Sequence, residues 1–195
     1  MQAVVRPPRR LRGSLTPPGD KSVSHRAAIL NAVAAGEAVV ENLERAADVL
    51  ATLRCLRRLG VRYRWLGETT LQIVGSGRGG LREPAAVLDC RNSGTTLRLL
   101  AGLLSPQPFF SVLTGDASLL SRPMDRIVQP LRLMGADVRG RDGDTRAPLA
   151  ISGRPLRGLR YRLPVASAQV KSALMLAALY AEGETALEEP GPSRD

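Results

Sequence analysis

Three short stretches of this chain set hydroxyls, an amide or a cation directly ahead of an apolar run: PGDKS at 18–22, RNSGTT at 91–96 and ASAQVK at 166–171. From Gly19 to Asn92 to Ser167 the steps are 73 and 75 residues, so the three recur almost in register. Each reads as the start of a helix. A helix start offers unpaired backbone N–H groups and about half a positive charge from the helix dipole. The side chains add to that: Ser22, Ser93, Thr95 and Ser167 bring hydroxyls, and Lys21, Arg26 and Gln169 bring further donors. Gly94 lets an anionic oxygen approach the backbone, and Arg122 precedes Pro123 at a further helix start. The chemistry these types serve is the holding of small anions. His25, one turn into the first helix, fits packing or hydrogen bonding better than catalysis.

Familiar nucleotide sites do not fit. The Walker phosphate loop needs glycine directly before its lysine, whereas Asp20 precedes Lys21 and Leu15 stands where the earlier glycine belongs. The run GSGRGG at 75–80 is a polar turn, since no helix follows it directly. Cys55 and Cys90 are too few and too scattered, beside a single histidine, for a zinc site or a disulfide framework.

A net charge of +10 would ordinarily point to a polyanionic partner. Here the basic residues are spread among acids, and an aromatic content of 3% leaves few platforms for stacking bases, so nucleic acid is not the expected partner. Only two of the 28 basic residues are lysine, Lys21 and Lys171, and both fall in the polar clusters. No stretch has the roughly 18 apolar residues of a membrane span, and the N-terminus lacks the apolar block of a secretory signal; a cytoplasmic location is expected.

The elements that would position these clusters also repeat. Apolar Ala28, Ile29, Ala32 and Val33 at helical spacing, a stop at Gly36 and a β-prone run at 38–40 lead to a second helix over 47–59, Gly60 as its stop, and strands at 61–66 and 70–75. From about residue 86 the series restarts, and LRLMGADVR at 131–139 echoes LRCLRRLGVRY at 53–63. From about 159 it starts a third time and stops after one helix and a strand. Each unit reads β-α-β-α-β-β with a period near 75 residues, and packing of such copies on one another would bury a shared α/β core. The helices read as apolar on nearly every side, which predicts an interior of helices with sheets outside, and side-by-side packing would bring the three polar loops to one end.

PGDKSVSHRA, NSGTTLRLL, TGDASLLSRPM, ASAQVKSALMLAAL and the terminal SRD, in this order and at these distances, resemble the 5-enolpyruvylshikimate-3-phosphate synthase family. The resemblance runs from about residue 12 to the end. It implies an inside-out α/β barrel domain of β-α-β-α-β-β repeats, here at about 14–80, 81–155 and an incomplete 156–195. Residues 1–13 would be a strand of a second, C-terminal domain absent from this chain. It implies transfer of the enolpyruvyl group of phosphoenolpyruvate to the 5-hydroxyl of shikimate 3-phosphate through a tetrahedral intermediate. No metal, organic cofactor, nucleic acid or membrane is implied, and the complete enzyme would be a monomer.

Carried over by position, Lys21, Ser22, Arg26, Ser167, Ala168, Gln169 and Arg194 would bind shikimate 3-phosphate. Lys21, Asn92, Gly94, Arg122 and Gln169 would bind phosphoenolpyruvate, with Lys21 the one catalytic position present. The family's acid–base Asp and Glu belong to the absent domain, so the chain alone is expected to bind without turnover. Two departures stand out: Arg91 occupies a position usually glycine, and Ala168 replaces a serine in one form of the third motif. The alternatives are the sister transferase acting on UDP-N-acetylglucosamine, whose catalytic cysteine has no counterpart here, and a non-catalytic anion-binding module.

Overall fold

The computed structural model describes residue 4, residue 10 and residues 12–191. Within them the order is α1 (Lys21–Val33), β1 (Ala35–Val40), α2 (Ala47–Arg58), β2 (Arg62–Trp65), β3 (Leu71–Ser76), β4 (Leu88–Asp89), α3 (Gly94–Leu104) and β5 (Phe110–Thr114). Then come α4 (Ala117–Leu120), α5 (Asp125–Leu133), β6 (Asp137–Gly140), α6 (Arg141–Asp144), β7 (Arg146–Ser152), β8 (Arg160–Arg162), α7 (Ala168–Ala178) and β9 (Ala186–Glu188). The short helices α4 and α6 have no expected counterpart. The others follow the repeat read from the sequence.

Each unit builds its own sheet. Unit one gives an antiparallel β1-β3-β2 sheet, unit two a β4-β5-β7-β6 sheet in which β4 and β5 run parallel, and unit three the parallel pair β8-β9. The matching parallel pairs in units two and three show that these are copies of one plan. So do the helix ends. After α2 the Val61 N–H donates to the Leu56 carbonyl at 3.0 Å, and after α5 the Ala136 N–H donates to the Leu131 carbonyl at 3.0 Å. Gly60 (φ +91°) and Gly135 (φ +98°) make the left-handed turn that this closure requires.

Unit one departs from the plan at its beginning. The described residues 12–20 form neither helix nor strand, although the repeat calls for a strand ahead of α1. Pro17 and Pro18 cannot donate to a ladder. The segment is tied to the β1–α2 connection, where Asn42 Nδ2 donates to the Pro17 carbonyl at 3.3 Å. The edge of β1 away from β3 therefore has no strand partner among the described residues. The expected strand at 1–13 falls largely outside them.

The helices do not share one character. In α3 nine of eleven residues are buried, as expected of an interior helix. By contrast α2 and α5 are amphipathic, with Arg54, Arg57, Arg58 and Arg126 on their outer sides. The strands show the complementary pattern: in β3, β5 and β7 buried positions alternate with more exposed ones, the mark of a sheet covered on one face. α3 and α7 approach so closely that a Cβ on Gly102 would lie 2.0 Å from the Ala173 carbonyl oxygen. That contact sets unit three against unit two and fixes how far apart their helix starts lie. No described helix is long and apolar enough to cross a membrane.

Candidate anion-binding site

Helix α1 starts where an acidic cap allows it. The Asp20 carboxylate accepts from the Val23 N–H at 2.7 Å, so Lys21 and Ser22 sit in the first turn of the helix rather than in a loop. The preceding backbone is pressed against residues 42–44: a Cβ on Gly19 would lie 1.9 Å from the Asn42 carbonyl oxygen, which makes glycine obligatory. Lys21 is exposed, and its Nζ lies 3.2 Å from Asp48 Oδ2 at the start of α2. Arg26, half-buried, follows on the same helix. His25 is fully buried, and burial pulls its pKa down to about 4, so it is neutral at physiological pH. This agrees with a packing and hydrogen-bonding role.

At α3 the cap is Ser93, whose Oγ accepts from the Thr96 N–H at 3.1 Å. Asn92 stands exposed beside it and accepts from Arg122 through its Oδ1. Arg98, one turn into α3, donates from Nη1 to Gln169 Oε1 at 2.8 Å and from Nη2 to the Pro123 carbonyl at 3.0 Å. Burial lowers the pKa of its guanidinium, and the nearby charges of Arg122 and Arg126 lower it further while Asp125 opposes them. Cations crowded in this way are stabilised by an anion placed among them.

At α7 the cap is Ser167, with Ala168 and Gln169 in the first turn. Gln169 is the link between units, since its Nε2 also donates to Thr95 Oγ1 at 3.0 Å. The starts of α3 and α7 are thus joined through one amide. Lys171 behaves otherwise: its Nζ pairs with Glu189 at 2.8 Å, holding α7 to the residue after β9. The two lysines thus pair with different elements, Lys21 with the start of α2 and Lys171 with the residue after β9, although both lie in polar clusters.

The structure brings together Asn92, Gly94, Arg122 and Gln169 around the first turn of α3, and it joins Lys21 to α2 through Asp48. Arg194 lies outside the described residues. Two residues of the site have no place among the sequence-derived candidates. Arg98 is four positions after Gly94, a spacing that puts both on one helix face. Asp48 carries no comparable signal, being 27 residues from Lys21. Among the described residues no group of three or more His, Cys, Asp or Glu side chains could hold a metal ion.

Residues 5–195 match the family model described as EPSP synthase (3-phosphoshikimate 1-carboxyvinyltransferase). The chain belongs to the EPSP synthase family. It is 60% identical over 188 residues to the 3-phosphoshikimate 1-carboxyvinyltransferase of Chloroflexus aurantiacus, covering 96% of this chain and 43% of that one. With the enzyme of the same description from Acidithiobacillus ferrooxidans it shares 57% identity over 192 residues, covering 98% of this chain and 44% of the relative. A solved EPSP synthase from Acinetobacter baumannii superposes with a TM-score of 0.91 at 49% identity, over 94% of this chain and 41% of that one. The chain thus spans less than half the length of these EPSP synthase relatives.

Proposed function

We propose that this chain carries the shikimate 3-phosphate half of an EPSP synthase active site, together with part of its phosphoenolpyruvate site. The observation that supports it best is the convergence of Arg98, Arg122 and Gln169 on the first turn of α3. A phosphate and a carboxylate brought close together need several fixed cations and helix N-termini, and this region supplies both. In this reading Lys21, Ser22, Arg26, Ser167, Ala168 and Gln169 bind shikimate 3-phosphate, joined by Arg194. Lys21, Asn92, Gly94, Arg122 and Gln169 face phosphoenolpyruvate. Lys21, a compact ammonium held by Asp48 between two ligands, stabilises charge that develops as the enolpyruvyl group is transferred to the 5-hydroxyl.

The proposed domain is 14–195. The proton-transferring Asp and Glu implied by the resemblance have no counterpart among the positions carried over, so these 195 residues bind without turning over. A monomeric cytoplasmic enzyme is part of the same proposal. Calorimetric titration of the chain with shikimate 3-phosphate, with UDP-N-acetylglucosamine as the competing ligand, tests it. Binding of the first that Lys21→Met and Gln169→Ala both weaken is expected. Preference for the UDP-sugar, or release of phosphate from phosphoenolpyruvate by this chain alone when shikimate 3-phosphate is present, would sink it.

A further inference from the structure

A file of polar side chains runs through the core between α1, α2 and the start of α3. His25 of α1, Thr52 of α2, and Thr96 and Ser93 of unit two are each at most 1% exposed. His25 Nδ1 lies 2.7 Å from Thr52 Oγ1, and Thr52 Oγ1 lies 2.7 Å from Thr96 Oγ1. Thr96 Oγ1 in turn is 2.7 Å from Ser93 Oγ and 3.1 Å from the Asp48 carbonyl oxygen. Buried polar groups of this kind are stable only as a satisfied set, so each contact depends on the others.

The open end of the file gives it a direction. His25 Nε2 is buried and has no hydrogen-bond partner among the described residues. An orphaned buried N–H is rarer and more costly than an orphaned acceptor, which assigns the proton of the neutral ring to Nδ1. His25 then donates to Thr52, and Thr52 donates to Thr96. The Thr96 hydroxyl is left to donate to the Asp48 carbonyl or to Ser93. All three helices are coupled through this one hydroxyl.

Thr96 is the junction. On one side it holds Ser93, the cap of α3, and with it Asn92 before the helix and Gly94 at its first position. On the other it holds the backbone of Asp48, whose carboxylate anchors Lys21. We propose that Thr96 is a positioning residue for the anion site: without touching a ligand it sets Lys21 relative to the start of α3. The inference relies on the reading above only for what Lys21 binds.

The chain's own composition supplies the test, because it contains only two lysines and the second, Lys171, is paired with Glu189 away from the file. Competitive acetylation of the folded chain, read by mass spectrometry, gives the Lys21:Lys171 reactivity ratio. In Thr96→Val, which keeps the shape and deletes the hydroxyl, loss of the junction should raise that ratio about fivefold, the equivalent of one ordinary hydrogen bond. Thr96→Ser should restore it. A ratio unchanged in Thr96→Val, or equal acceleration at both lysines as in general loosening, overturns the proposal. If Thr96→Val does not fold, Thr96→Ala deletes the same hydroxyl with a smaller side chain and carries the same expectation. Titration with shikimate 3-phosphate separates the two readings: a wild-type chain that binds none removes the proposed function, while the labelling ratio still decides the role of Thr96.

Discussion

The guanidinium groups of Arg98 and Arg122 meet over a single glycine. A Cβ placed on Gly94 would lie 2.6 Å from Arg98 Nη1 and 3.3 Å from Arg122 Nη1. Those atoms are the ends of flexible side chains, so Gly94→Ala displaces the arginines rather than the backbone. Alanine is also better by up to about 1 kcal/mol within a helix. Phosphoenolpyruvate affinity should therefore fall several-fold while the melting temperature holds or rises. Titration and thermal unfolding of the same preparation check both halves.

Lys21→Met separates binding from folding in a second way. The Lys21–Asp48 pair is solvent-exposed on the lysine side, and such pairs contribute about 0 to 1 kcal/mol. Stability should change by no more than that, while affinity for shikimate 3-phosphate falls at least about tenfold, as for loss of one charge-assisted contact. Equal affinity for variant and wild type would remove Lys21 from the site.

Acid should destabilise the chain through His25. Its folded-state pKa of about 4 lies below the ordinary 6.5, because burial disfavours the charged ring. Between those values the unfolded chain binds the proton and the folded chain does not, so stability is fully present above pH 6.5 and is lost as pH falls towards 4. The loss is on the order of 3 kcal/mol. Urea midpoints measured from pH 7 to pH 4 should fall accordingly, and His25→Asn should flatten that slope.

Arg91 bears a local penalty that glycine would remove. Its φ of +55° lies in the left-handed region, where a side chain costs about 1 to 2 kcal/mol. Its ion pair with Asp89 is mostly exposed and offsets little of this. Part of the gain is lost to the greater freedom of glycine in the unfolded chain, so Arg91→Gly should stabilise by about 1 kcal/mol or less. A clear drop in the urea midpoint would mean that the arginine side chain supports the loop in another way.

The repeat was legible because its punctuation is local. Gly60 and Gly135 terminate equivalent helices through equivalent hydrogen bonds, and Ser93 and Ser167 cap equivalent starts, all within a few residues of the helices they define. What escaped is non-local or camouflaged. Arg98 looks like any arginine on a helix in a chain with 26 of them, and only the fold shows it half-buried between Gln169 and Pro123. Asp48 reads as an ordinary first-turn acid until α1 and α2 are packed together. Ahead of α1, residues 12–20 carry two prolines and a backbone contact at Gly19 that no periodicity encodes, and the strand expected at 1–13 lies largely outside the described residues.

The edge of β1 that no described residue pairs has a practical consequence. A row of unpaired N–H and C=O groups is a template on which a second copy can add its own strand, and Val39 on that strand is about half exposed. Glu37 at mid-strand opposes such zipping by placing like charges face to face. Self-association should thus be weak but concentration-dependent. Chain concentration becomes a variable to hold low in every titration described above, and light scattering across a dilution series is the control that belongs beside them.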